Sequence, residues 1–319
     1  MATFDKIKPT EYNIIQNTIA NVLGPTGSGQ YGYGQTVQSS QVDITKKVTV
    51  EQFANLRYDI LNAYDHLYAT TPSGVTAKTE RDKIKYSTTT EPITYWQTVA
   101  NGIVGVARQP AIALRRRTVN HGTTNTTWPG PYGATWNTRL VALVQVSFTD
   151  ASQARYFWNS GSSFDFTSTR SGGSSTAQNT SWTNLLNAAG TPQFGGNFPG
   201  ASTSPQDGFN AYRLTNAYNS PAFTFTASSP YALNTWRIYA RCVDVVNNSA
   251  GTARQFEFRV EWNDDHVGLG FPTVGPDEVD GTMSLNVTTT EATGTLFPSG
   301  LGNFTIETPS VFVGGIAPG

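Results

Sequence analysis

A single cysteine, Cys242, stands in 319 residues. One thiol excludes an intrachain disulfide framework and any multi-thiolate metal site within the chain, and its alternating apolar surroundings predict a buried small side chain. Charge is nearly as scarce. Asp, Glu, Lys and Arg together make 13% of the residues, roughly half the usual share, and the net charge is -1. That balance offers no global electrostatic case for nucleic acid or an anionic membrane. No apolar run reaches the ~18 residues of a membrane span, and no apolar segment of the signal-peptide kind follows Met1; the expectation is a chain neither exported by that route nor membrane-embedded. Only three histidines occur, His66, His121 and His266, in three separate segments. The catalytic signatures G-x-S-x-G and H-E-x-x-H and the phosphate-binding Walker loop are all missing.

Abundant instead are Gly, Ser, Thr, Asn and aromatic residues, a composition of short strands, turns and surfaces covered by partner chains. Near the start, GPTGSGQYGYGQ carries Gly27, Gly29 and Gly32 in the G-x-G-x-x-G spacing of a dinucleotide loop. That spacing works only between a buried strand and a helix start. Here Tyr12, Ile15, Ile19, Val22 and Leu23 recur at helical period upstream, after Pro9 and with Thr10 as the expected N-cap. Downstream the next helix opens at Thr49, in capping-box spacing with Gln52, and carries Phe53, Leu56, Ile60, Tyr64 and Leu67 on one face. The glycines therefore sit between two helices, and no nucleotide is expected. No cofactor of any kind is predicted.

Three regions are expected: a helical attachment or assembly segment at 1–71, a linker with irregular and helical character at 72–134, and a β-rich body at 135–319. In the middle region Tyr95, Val99, Ile103 and Val106 form a helical stripe interrupted by Gly102 and Gly105. Arg115, Arg116 and Arg117 form the one dense basic spot, read as a solvated patch or an intersubunit salt-bridge site, with phosphate contact as the alternative. In the body, period-two patterning predicts a central strand at Arg139–Phe148 and a hairpin of TWRIYARC with RQFEFRVEW. In the second arm Phe256, Phe258, Val260 and Trp262 face the core and Gln255, Glu257, Arg259 and Glu261 face solvent. Further strands are expected at 163–169, 222–227, 282–288 and 304–313, with short helices from Asp150 to Trp158 and over 180–188. The fold class is α+β: a helical N-terminal segment followed by a mostly antiparallel β-sandwich-like body with short inserted helices. The best ligand cluster is Asn263, Asp264, Asp265 and His266 after a strand end, read as a polar turn that matches neither a calcium loop nor a zinc signature, with a structural cation as the alternative.

Two stretches carry a resemblance. YNIIQNTIANVLGPTGSGQYGYGQTVQSSQV, continuing to EQFANLRYDILNAYDHL, and ARYFWNSGSSFDFTSTRSGGSSTAQNTSWTNLLNAAGT (Ala154 to Thr191) together resemble virion structural, tail- or fibre-like proteins of tailed phages, especially those of marine cyanobacteria. The resemblance covers about a third of the chain. It implies a place in a virion assembled in host cytoplasm, no catalytic residues, and as partners further copies of this chain and other virion proteins, with a host surface receptor as a further candidate. Tail, neck or fibre is the leading location; a capsid decoration protein or a carbohydrate-binding tailspike is the alternative. Within that frame Tyr31 and Tyr33, with Arg115, Arg116 and Arg117, are the expected subunit contacts, and a trimer is the expected assembly for a fibre or spike.

Overall fold

Pro9 sets the first helix. Its fixed φ suits the first helical turn, and the computed structural model places α1 at Pro9–Leu23, with the Lys8 N–H donating to Glu11 Oε2 at 3.2 Å. The cap is therefore Lys8 and not Thr10, because proline lets the helix begin one residue before the threonine. Residues 8–24, 36–68, 72, 75, 93–107, 121–132, 135, 136, 138–160, 162–195, 209, 211–266, 278–292, 304–306 and 310–313 are described. Gly24 closes α1 with its N–H on the Ala20 carbonyl at 2.9 Å; a Cβ there would lie 2.7 Å from that same oxygen. The second helix, α2 (Val50–Tyr68), begins on the expected reciprocal pair: the Thr49 N–H donates to Gln52 Oε1 at 2.8 Å and the Gln52 N–H to Thr49 Oγ1 at 3.2 Å.

These helices and α3 (Ile93–Ala107) share one core. Tyr12, Ile15, Ile19, Val22 and Leu23 meet Phe53, Leu56, Ile60 and Ala63, and α3 adds Trp96, Ala100 and Ile103. Edge-to-face rings link the three, Tyr12 to Phe53 at 5.6 Å and Phe53 to Trp96 at 5.9 Å. The inward stripe of α3 thus runs through Trp96, with Val99 at its rim; the side chains of Tyr95, Val106 and Leu67 lie outside the described residues. A boundary at residue 71 would divide this core, since α3 belongs to it.

The body is a sandwich of two antiparallel sheets. The first orders β1 (His121–Tyr132), β8 (Thr282–Ala292), β3 (Ser163–Ser171) and β4 (Gln193–Gly195) side by side. The second orders β10 (Ser310–Val313), β2 (Arg139–Phe148), β7 (Gln255–Asn263), β6 (Thr235–Cys242) and β5 (Phe223–Thr226), with β9 (Phe304–Ile306) also paired to β2. β2 is central, as its apolar residues on both faces require, and β6 and β7 form the expected hairpin, Trp236 opposite Trp262. The expected strand at 304–313 is two strands. β1 was expected to be irregular, with Pro129, Gly130 and Pro131 against strand propensity. It is instead an edge strand of the body, where proline is tolerated, and its register shifts between Thr124 and Trp128. The body accordingly starts near His121, ahead of the expected residue 135.

Between the sheets, Phe256, Phe258, Val260 and Trp262 of β7 and Leu140, Val144 and Val146 of β2 face Phe164, Phe166, Met283, Leu285 and Val287. The Trp262 indole N–H crosses to Ser168 Oγ at 2.9 Å, joining the sheets by a satisfied polar contact. α4 (Ala151–Ser160), capped by Asp150 Oδ1 accepting from the Ser152 and Gln153 N–H groups at 2.8 and 3.0 Å, carries the chain from one sheet to the other. Its Phe157 stacks on Phe164, with ring centroids 4.7 Å apart. α5 (Ala177–Ala189) starts on Thr176, whose hydroxyl accepts from the Asn179 N–H at 3.2 Å, and packs Trp182 against Trp136 at 5.1 Å.

Candidate functional site

Tyr31, Tyr33, Arg115, Arg116 and Arg117, the expected contact residues, lie outside the described residues, as do the acidic Asp277 and the side chains of His66 and His121. Geometry can be built for the polar turn after β7, for the Arg-Ser-Gly-Gly turn after β3, and for a set that the sequence pattern hid, the outer face of the six-stranded sheet.

In the turn after β7, the Asp264 N–H donates to the Thr138 carbonyl at 2.8 Å, and its carboxylate accepts from the Gln178 side-chain amide of α5. Asn263 Nδ2 reaches Thr235 Oγ1 at 3.4 Å, and the His266 N–H donates to Asn234 Oδ1 at 3.0 Å while its ring packs on Tyr231 at 4.5 Å. These groups bind the end of β7 to α5 and to the start of β6. Among the described residues no group of three or more His, Cys, Asp and Glu is placed to hold a metal ion.

After β3 the backbone turns through Gly172 and Gly173, both at positive φ, 68° and 75°. A Cβ at Gly173 would meet Asp280 Oδ1 at 2.4 Å and the Gly281 nitrogen at 2.7 Å, so only glycine lets the turn close on Asp280. Asp280 then accepts from the Ser174 N–H at 3.0 Å, from Arg170 Nη2 at 2.9 Å and from the Asn179 side-chain amide. The hydrogen bonds from Ser174, with Asn179 and Arg170 adding to them, hold this carboxyl below the ordinary carboxylate range. The motif is a latch between β3, α5 and the start of β8. Its geometry orients α5.

On β7 the expected polar face is not open to solvent. Glu257 is only 7% exposed and Glu261 3%, because arginine side chains from three strands lie across them. Arg241 places Nη2 and Nε 2.7 and 2.8 Å from Glu257 Oε1, and the Tyr218 hydroxyl donates to the same oxygen at 2.6 Å. Arg241 and Arg259 lie over the Tyr218 ring at 4.7 and 4.3 Å, and Arg259 also faces Tyr239 at 4.3 Å. Burial, with the bond to Glu257 and its charge in support, pushes the Tyr218 hydroxyl far above its ordinary range, which removes it as a base or nucleophile near neutrality. Strict alternation in RQFEFRVEW marked the two faces of this strand. It carried no sign that neighbouring arginines cover the charged one.

The helical unit holds a second feature that sequence reading missed. Asp59, fully buried on α2, accepts from the Gln38 N–H at 2.9 Å, the Ser39 N–H at 2.7 Å and the Ser39 hydroxyl at 2.5 Å. Asn13 and Gln16 of α1 grip the same segment from the other side, through the Val42 and Ser39 carbonyls at 2.8 and 3.1 Å. Residues 38–42 are thereby tied to both helices. No family model, curated protein or solved structure matches the chain.

Proposed function

We propose that the chain is a non-enzymatic structural component of a tailed-phage virion, in the tail, neck or fibre apparatus, with the three-helix unit as its assembly element and the sandwich as its body. The observation that carries this reading is the employment of the polar side chains. Asp59, Asp264, Asp280, Glu257 and Glu261 each hold one part of the fold to another. The resemblance of the two quoted stretches to virion proteins supplies the particle. A capsid decoration protein would use the same architecture. The sugar-platform alternative draws less support, since the six tryptophans whose side chains are described, Trp96, Trp136, Trp158, Trp182, Trp236 and Trp262, are at most 6% exposed and fill the two cores.

The helical unit suits assembly because it leaves apolar side chains outside its core: Ile14 is 52% exposed, Ile44 70% and Tyr58 52%. Replacing all three by Ser in the full chain is expected to leave folding intact and to reduce incorporation into particles. Unchanged incorporation would refute the assembly role of this unit.

A further inference from the structure

The ridge that α2 turns outward is apolar where a free-standing amphipathic helix carries charge. At about 3.6 residues per turn, Val50, Ala54 and Tyr58 share one ridge, turned away from the face on which Phe53, Leu56, Ile60 and Ala63 are buried. Val50 is 37% and Tyr58 52% exposed, Ala54 is exposed between them, and half-buried Leu61 continues the line. Burial here runs against polarity: Asp59, the residue after the exposed Tyr58, is fully buried.

The charges at the two ends of α2 differ in sign. Lys46 and Lys47 are exposed just ahead of the Thr49 cap, with Glu51 in the first turn, and Asp65 is exposed in the last turn. Among the described residues, Lys46, Lys47 and Asp65 make no ion pair. Lysines at a helix N-terminus and an aspartate at a C-terminus both oppose the helix dipole, and only Glu51 conforms to it. Two parallel copies of α2 would bring like ends together. Two antiparallel copies bring Asp65 of each to Lys46 and Lys47 of the other and oppose the dipoles as well.

One antiparallel register satisfies size and charge together. A two-fold axis at the level of Leu56 sets Ala54, two residues before it, against Tyr58, two residues after it, so each ring lies over the small side chain of the other copy. The same axis sets Lys47, nine residues before Leu56, against Asp65, nine residues after it, and brings Val50 near Leu61. We propose that α2 pairs antiparallel with α2 of a second copy of this chain, through Val50, Ala54, Tyr58 and Leu61, with the lysines and Asp65 closing the two ends. The pair names the partner of the helical unit, and it rests on the reading of that unit as an assembly element.

Sedimentation equilibrium of the full chain at low salt is expected to show a reversible dimer. Ala54→Glu, at an exposed position where glutamate suits a helix, should abolish it while helical circular dichroism is unchanged. Asp65→Lys should weaken it about tenfold, because two exposed pairs turn from attraction to repulsion, and adding Lys46→Glu with Lys47→Glu should restore it. That charge exchange restores only an antiparallel pair. A monomer at high micromolar concentration, an assembly that stops at three copies, or a dimer untouched by Ala54→Glu would overturn the pair. Incorporation into particles is scored separately: a chain that pairs in solution and is not incorporated contradicts the assembly reading and leaves the pair standing.

Discussion

In the helical unit one buried carboxylate, Asp59, ties Gln38 and Ser39 to α2, and a small core with a single described tryptophan does the rest. In the sandwich, aromatic rings run without interruption from Phe148 through Phe157, Phe164, Phe258 and Phe166 to Phe194. The small unit depends on directional bonds at a few atoms, the large one on packed area spread over many side chains. A core of modest size has little apolar surface to bury, so a polar tie carries a large share of its stability; a continuous aromatic core dilutes the importance of any one contact.

Removing a ring from the larger core should have the greatest effect in absolute terms. Phe258, fully buried with four rings within 6.3 Å, is expected to cost about 3–5 kcal/mol as Phe258→Ala, measured as the denaturant midpoint of the β-signal. The comparison breaks if the helical signal falls by the same amount, for the two cores would then act as one. Next, Asp59→Ala should cost the helical unit about 2–4 kcal/mol by leaving the Ser39 and Gln38 donors without their acceptor. Loss of helical circular dichroism ahead of the β-signal is the expected reading. A single unshifted transition would count against the polar tie.

Smaller effects sharpen the picture. Thr176→Ala, which removes the cap of α5, should cost about 1 kcal/mol and be confined to the sandwich. Alkaline titration should separate the units further. Burial, with the Asp59 charge in addition, raises the Tyr12 hydroxyl from 10.0 to about 12, so the native state favours its protonated form. That contribution is whole below pH 10 and is lost as the pH rises toward 12; Tyr12→Phe should remove this alkaline sensitivity from the helical signal. Acid acts on the other unit. The lowered Asp280 carboxyl contributes above its ordinary value of 3.8 and loses that contribution as the pH falls through the lowered one, and Asp280→Asn should flatten the acid limb of the sandwich transition.

Much of the sandwich was legible in the sequence because its signals are local. Period-two alternation set β2, β6 and β7, and Asp150 before an amphipathic stretch marked α4. β1 was not legible, since its glycine and prolines argue against a strand and only pairing with β8, more than 150 residues away in sequence, makes it one. Asp59 falls within the polar residues of an amphipathic helix and looks like any solvated carboxylate until the returning Ser39 backbone is placed against it. The arginine face was hidden for a similar reason: charge on a strand is read as exposure, while burial by long side chains from neighbouring strands is a property of register. The expected contact residues Tyr31, Tyr33 and Arg115–Arg117 fall outside the described residues and contribute nothing to this balance.

Catalysis offers a separate way to contradict the reading. Purified full chain is expected to leave cell-surface polysaccharide and peptidoglycan intact; turnover that Asp264→Asn abolishes would reverse the non-enzymatic assignment. The most direct test of the central claim is a cryo-electron-microscopy map of particles produced from the genome that encodes this chain. The account predicts copies of the chain in the tail, neck or fibre, with Ile14, Ile44 and Tyr58 of the helical unit buried against a neighbouring subunit and the sandwich projecting as the body. Absence of the chain from the particle, or a helical unit that faces solvent on every side, would contradict it.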